Sequence, residues 1–101
     1  MDNNYYVYAY RDKDTENVFY VGMDKGRRAY RTDKSARNKY FIEYYKTHNC
    51  ELFFIKKDIT KEEAADLETK TVIYCYSIGQ CYCNSTYNGK RNCGVYFEYI
   101  E

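Results

Sequence analysis

The stretch that most constrains this chain is Tyr5-Tyr6-Val7-Tyr8-Ala9-Tyr10, in which large phenols alternate with other residues. Successive side chains of an extended strand point to opposite faces, so Tyr6, Tyr8 and Tyr10 share one face and Tyr5, Val7 and Ala9 the other. The expectation is one core face and one site face. The polar run Arg11-Asp12-Lys13-Asp14-Thr15-Glu16-Asn17 then reads as a turn, and Val18-Phe19-Tyr20-Val21 returns as a second strand. The two pair as a hairpin that sets phenol groups beside Gly22.

Aromatic content is the second constraint. Fifteen tyrosines and five phenylalanines occur without tryptophan or proline. Tyrosine combines a stacking surface with a polar tip, so these residues serve either a half-buried core or the stacking of nucleobases. At 101 residues, 45% of them hydrophobic and 31% charged, the chain has the length and composition of one globular domain spanning residues 1–101. No apolar run approaches the ~20 residues of a membrane span. Met1-Asp2-Asn3-Asn4 lacks the basic-then-apolar layout of a signal peptide, so the expected location is cytoplasmic.

The five cysteines are an odd number without a C-x-x-C unit, so they cannot all pair within one molecule. Cys81-x-Cys83 is not the spacing of a zinc knuckle, and buried reduced thiols are expected instead of a zinc site. Charge is unevenly spread. The net charge is only +1, yet residues 25–39 hold seven basic side chains against Asp33 alone, a local +6. Such a segment is either a solvated helix face or the footprint of a phosphate backbone.

Gly22, Lys25, Arg27 and Arg28 read as a glycine-permitted loop suited to a phosphate, with Arg31, Lys34 and Arg37 extending the basic surface. A helix is predicted over residues 34–47, with Tyr40, Phe41, Tyr44 and Tyr45 forming an aromatic stripe directed to the core. Leu52-Phe53-Phe54-Ile55 reads as a central strand covered on both sides, the third of the sheet. Thr60 and Glu63 form a capping-box signature for a second helix ending near Ile78-Gly79. Asn84-Ser85 and Asn88-Gly89 read as turns, and residues 95–100 as an edge strand. The fold class is therefore α/β (α+β), with a three-stranded, mainly antiparallel sheet flanked by helices.

In the second helix, Ala64, Glu68 and Val72 stand at successive i, i+4 positions, which strands a carboxylate on an apolar ridge. That placement is costly unless Glu68 binds a hard cation or meets an arginine, Arg28 or Arg31 being the candidates.

Tyr6-Val7-Tyr8 and Tyr20-Val21-Gly22, at their separation, resemble the paired signature tripeptides of the GIY-YIG endonuclease family. The likeness runs over about residues 5–94. Tyr8 matches the tyrosine ending the first tripeptide, Tyr20 the one opening the second, and Gly22 the glycine closing it. Arg28, or Arg31 if the loop is read differently, matches the arginine at the entry to the first helix. Glu68, within Ala64-Ala65-Asp66-Leu67-Glu68, matches the metal-binding glutamate, and Asn84 the late asparagine. The chain departs from the pattern at Tyr6, where glycine is usual, at Met23, where lysine is frequent, and at Thr32, where histidine often stands. The resemblance implies a DNA endonuclease using one Mg²⁺ (or Mn²⁺) on Glu68, with Tyr8 as general base, Tyr20 and Arg28 on water or phosphate, and Asn84 in support. Its size implies a homodimer or a separate targeting partner for selectivity. Two other readings are a non-catalytic module for single-stranded nucleic acid and a degenerate nuclease domain serving protein interaction.

Overall fold

The computed structural model describes residues 3–81 together with Cys83 and Asn84. Three strands, β1 (Tyr5–Asp12), β2 (Val18–Lys25) and β3 (Cys50–Ile59), form one antiparallel sheet in the order β2-β1-β3. Helix α1 (Lys39–Thr47) lies between β2 and β3 in the chain, and α2 (Lys61–Ser77) follows β3. This is the expected α+β arrangement of a three-stranded sheet with two helices. No helix among the described residues is long and apolar enough to cross a membrane. The turn and strand expected at Asn88-Gly89 and residues 95–100 lie outside the described residues, as does Ser85.

β1 is the central strand, and both of its faces are core. Tyr6, Tyr8 and Tyr10 pack with Phe19, Phe41 and Tyr44 on the α1 side. Val7 and Ala9 pack with Val21, Ala64 and Val72 on the α2 side. The expectation of one core face and one site face is therefore corrected, since a central strand between two helices has no solvated face. Leu52 to Ile55 also lie elsewhere than expected: β3 is an edge strand, and these four residues are half-buried or exposed. Its apolar run matches that of a covered strand, but β1 occupies the middle by pairing on both sides.

Two boundaries differ from the sequence reading. β2 continues to Lys25, so Gly22 lies within a strand paired with Tyr8 and is not a loop glycine. Helix α1 begins at Lys39 and not at residue 34, because the Asn38 side chain caps it by accepting from the Phe41 N–H at 2.9 Å. Residues 33–37 instead form a turn closed by the Ala36 and Arg37 N–H groups on the Asp33 carbonyl. That turn sends Arg37 inward. The aromatic stripe on α1 behaves as core, with Phe41 and Tyr44 buried.

At the start of α2 the capping box is complete: Thr60 accepts from the Glu63 N–H at 3.1 Å, and Glu63 accepts from the Thr60 N–H at 3.0 Å. The helix ends at Ser77, with Gly79 in the left-handed region at φ +77°. The following residues cover the outer edge of β2. The Cys81 and Cys83 N–H groups donate to the Val18 and Phe19 carbonyls, and Gln80 accepts from the Val18 N–H. Asn84 is buried and pairs with both backbone groups of Val21, at 3.0 and 2.7 Å, replacing a fourth strand by one side-chain amide. Cys75, Cys81 and Cys83 are buried and divided between the two faces of the sheet.

Candidate active site

The site grows from one irregularity in the hairpin. Tyr10 pairs with Tyr20 but Arg11 with Val18, which leaves Phe19 as an extra residue in β2. The bulge lets Phe19 fill the core on the α1 side while Tyr20 packs against the same cluster. Tyr20 thereby lies 6.3 Å from Tyr8 between ring centroids.

Gly22 sits directly opposite Tyr8, whose ring crosses over it. A Cβ there would stand 2.6 Å from the Tyr8 hydroxyl and 2.7 Å from its ring carbon, so the position has no room for a side chain. The glycine is required by close approach of the phenol.

Arg37 closes the site from the loop side. Its Nη1 donates to the Tyr8 hydroxyl at 2.7 Å, Nε to the Arg31 carbonyl at 2.8 Å, and Nη2 to the Arg28 and Ala29 carbonyls. Its guanidinium carbon lies 5.1 to 5.4 Å from the ring centres of Tyr8, Tyr20 and Phe41. The sequence placed Arg37 on the outer basic surface and Arg28 or Arg31 beside the tyrosines. It is Arg37 that reaches Tyr8, while Arg28 reaches Asp24 at 3.7 Å and Arg31 is paired with Asp33. Asn38, as helix cap, was the available signal that the residue before it would turn inward.

Tyr6 and Tyr10 hold the same loop. Tyr6 donates to the Gly26 carbonyl at 2.9 Å and accepts from the Ala29 N–H, while Tyr10 donates to the Ala29 carbonyl at 2.6 Å. Three phenols of β1 thus spend their polar tips on residues 26–37 and fix the loop carrying the arginines.

Glu68 approaches from the other side. It stands half-buried on α2 between Ala64 and Val72, near the Met23 backbone N–H, one residue beyond Gly22. The ion pair with Arg28 or Arg31 does not form, and among the described residues Glu68 makes no salt bridge. Burial raises its pKa, only partly offset by the Met23 N–H. A carboxylate with a single backbone donor retains acceptor capacity, and oxygen donors of this kind suit a hard cation such as Mg²⁺, which keeps most of its waters. No group of three or more candidate ligands exists among the described residues, so any ion here rests on Glu68 and solvent or substrate oxygens.

The tyrosines respond to these neighbours. Burial raises the pKa of Tyr8, with Tyr20 adding to the rise and Arg37 opposing it. Burial likewise raises Tyr20, opposed first by Arg37, with Glu68 adding to the rise and a hydrogen bond from Tyr8 opposing it. Both phenols are therefore protonated at neutral pH.

Arg28, Arg31 and Arg37 line one cavity of about 260 Å³ together with Asp24 and Ala36. Arg27 and Lys34 are exposed on the same loop. Lys25 lies elsewhere: it pairs with Tyr5 and rests over that ring at 5.5 Å, on the face away from Tyr8. Asn84 holds the β2 backbone at Val21, between Tyr20 and Gly22. No family model, curated protein or solved structure matches this chain.

Proposed function

We propose that this protein is a metal-dependent endonuclease hydrolysing DNA phosphodiester bonds, of the GIY-YIG type its signature residues resemble. The observation that supports this reading best is the convergence of Tyr8, Tyr20, Arg37 and Glu68, from four different segments, on the Gly22-Met23 end of β2. Placing a half-buried Tyr20 and a buried Tyr8 beside a carboxylate that makes no salt bridge among the described residues costs the fold more than apolar residues would. It has chemical merit.

Hydrolysis of a phosphodiester requires a water relieved of its proton, countercharge on the phosphate and a stabilised leaving oxygen. A single Mg²⁺ or Mn²⁺ would supply Lewis-acid charge at Glu68. Tyr8 would accept the water's proton as the phenolate, which forms when its own proton is released to solvent; the Arg37 N–H on that oxygen and the charge of a bound cation would favour this phenolate against burial. Tyr20, 6.3 Å from Tyr8 between ring centroids and adjacent to Glu68, orients the water. Arg28 and Arg31 receive the phosphate in their cavity, where a planar fork matches its oxygens. Asn84 keeps the strand carrying Tyr20 and Gly22 in place.

The test is incubation of supercoiled plasmid, branched and single-stranded DNA with Mg²⁺, Mn²⁺ or chelator. Cleavage that needs the metal is expected. Cleavage unaffected by chelator, or stable binding of every substrate with none cut under either metal, would contradict the proposal.

A further inference from the structure

The loop that carries the arginines has a second side. Arg28 and Arg31 line the 260 Å³ cavity, whereas Tyr30 and Thr32, their neighbours in the chain, line another of about 300 Å³. Tyr10, Tyr45, Leu52 and Phe54 complete this second cavity, which lies between the loop, α1 and the edge strand β3. None of the chemistry proposed above uses it.

Its walls are largely aromatic. Tyr30 meets Phe54 at 5.9 Å between ring centroids, and Tyr45 is stacked on Phe41 at 5.8 Å, with planes 11° apart. Tyr10 is fixed by its bond to the Ala29 carbonyl. Tyr30 is 59% exposed, so its ring presents a face to solvent at the mouth of the cavity. The Thr32 hydroxyl gives the cavity a polar group among the rings, and Glu51, also in its wall, has its carboxylate paired with Arg11.

The volume is at the lower end for ligand sites and suits one heterocycle. Charge selects the kind. The adjoining cavity is lined by three arginines against one aspartate, so a planar ring bound here with an anionic group one loop-width away fits a nucleotide unit, not an apolar peptide side chain. A base stacked within duplex DNA cannot enter; it must be unpaired or turned out of the helix.

We propose that this aromatic groove takes one unpaired nucleobase of the DNA strand whose phosphate lies among Arg28, Arg31 and Arg37. The inference rests on reading the arginine cavity as a phosphate site. It makes single-stranded, branched or flipped-base DNA the substrate class.

Binding is measured by fluorescence anisotropy in chelator, where cutting cannot interfere, using a labelled oligothymidylate and an abasic strand of equal length. The parent should bind the oligothymidylate more tightly. Tyr30→Ala should weaken that binding by roughly five- to 150-fold, the equivalent of ~1–3 kcal/mol for one base–aromatic stack, and leave abasic binding unchanged. Tyr30→Trp should restore it, and Tyr74→Ala, on the exposed face of α2, should have no effect. Arg31→Ala should weaken both strands alike. Equal binding of the two strands by the parent, or parental affinity in Tyr30→Ala, would overturn the inference. Cleavage is scored separately: base discrimination without metal-dependent cutting refutes the proposed function alone, and cutting without base discrimination refutes this inference alone.

Discussion

At Gly22 one hydrogen in place of a methyl group decides where a phenol can lie. Gly22→Ala puts a carbon 2.6 Å from the Tyr8 hydroxyl, and that hydroxyl cannot yield cheaply because Arg37 holds it. The variant should lose ~1–3 kcal/mol of stability, measurable by denaturant unfolding, together with most of its activity. Tyr8→Phe separates packing from chemistry: the ring stays, the oxygen goes, and cleavage should fall by ~10²–10⁴-fold with little change in melting temperature. Glu68 carries a pH signature. Burial holds its folded pKa above the unfolded value, so the charged form costs stability above the folded pKa, and that cost vanishes below the unfolded value near ~4.3. Glu68→Gln should therefore raise the melting temperature of the metal-free protein at neutral pH and leave it unchanged in acid. Mg²⁺ should raise the melting temperature of the parent at neutral pH and have no effect on the Gln variant.

At the scale of elements, the edge of β2 is the part most dependent on distant residues. Asn84→Ala removes both partners of the buried Val21 backbone groups and should cost ~1–3 kcal/mol, with faster amide exchange at Val21 as the site-specific readout. Much of the architecture was legible before the structure. Alternation in residues 5–10 marked the strand and its shared tyrosine face, and Thr60 with Glu63 marked the start of α2 to the residue. What was hidden is non-local. The run at Leu52 to Ile55 cannot tell a central strand from an edge strand, because that depends on which partner pairs on both sides. Arg37 could not be told from Arg28 or Arg31 by charge, since its inward course depends on the turn at residues 33–37 and the Asn38 cap. Glu68 was legible because a carboxylate on an apolar ridge breaks a local pattern. Its meeting with Met23 was not, because it joins elements far apart in sequence.

Across the whole molecule, the sheet serves as a bracket between two faces with different tasks. The α2 side supplies an apolar core and one carboxylate, and the α1 side supplies phenols, loop and arginines. The basic segment at residues 25–39 should make duplex binding weak, tolerant of sequence and steeply salt-dependent, with log affinity falling by roughly 0.9 per phosphate neutralised on each decade of salt. Titrations of unrelated duplexes at several salt concentrations measure that slope, and a salt-insensitive preference for one sequence would contradict it. On the proposed one-ion reading one strand is cut at a time, so nicked plasmid should precede linear product unless two copies act together. The central claim is that Tyr8 and Glu68 form one hydrolytic site. Its most direct measurement is the single-turnover nicking rate of supercoiled plasmid in Mg²⁺ for the parent, Tyr8→Phe, Glu68→Gln and the double variant. The account predicts that each single substitution removes nearly all cleavage and that the double variant is no slower than the worse of the two. Nicking by Glu68→Gln at the parental rate, or losses that simply multiply in the double variant, would contradict it.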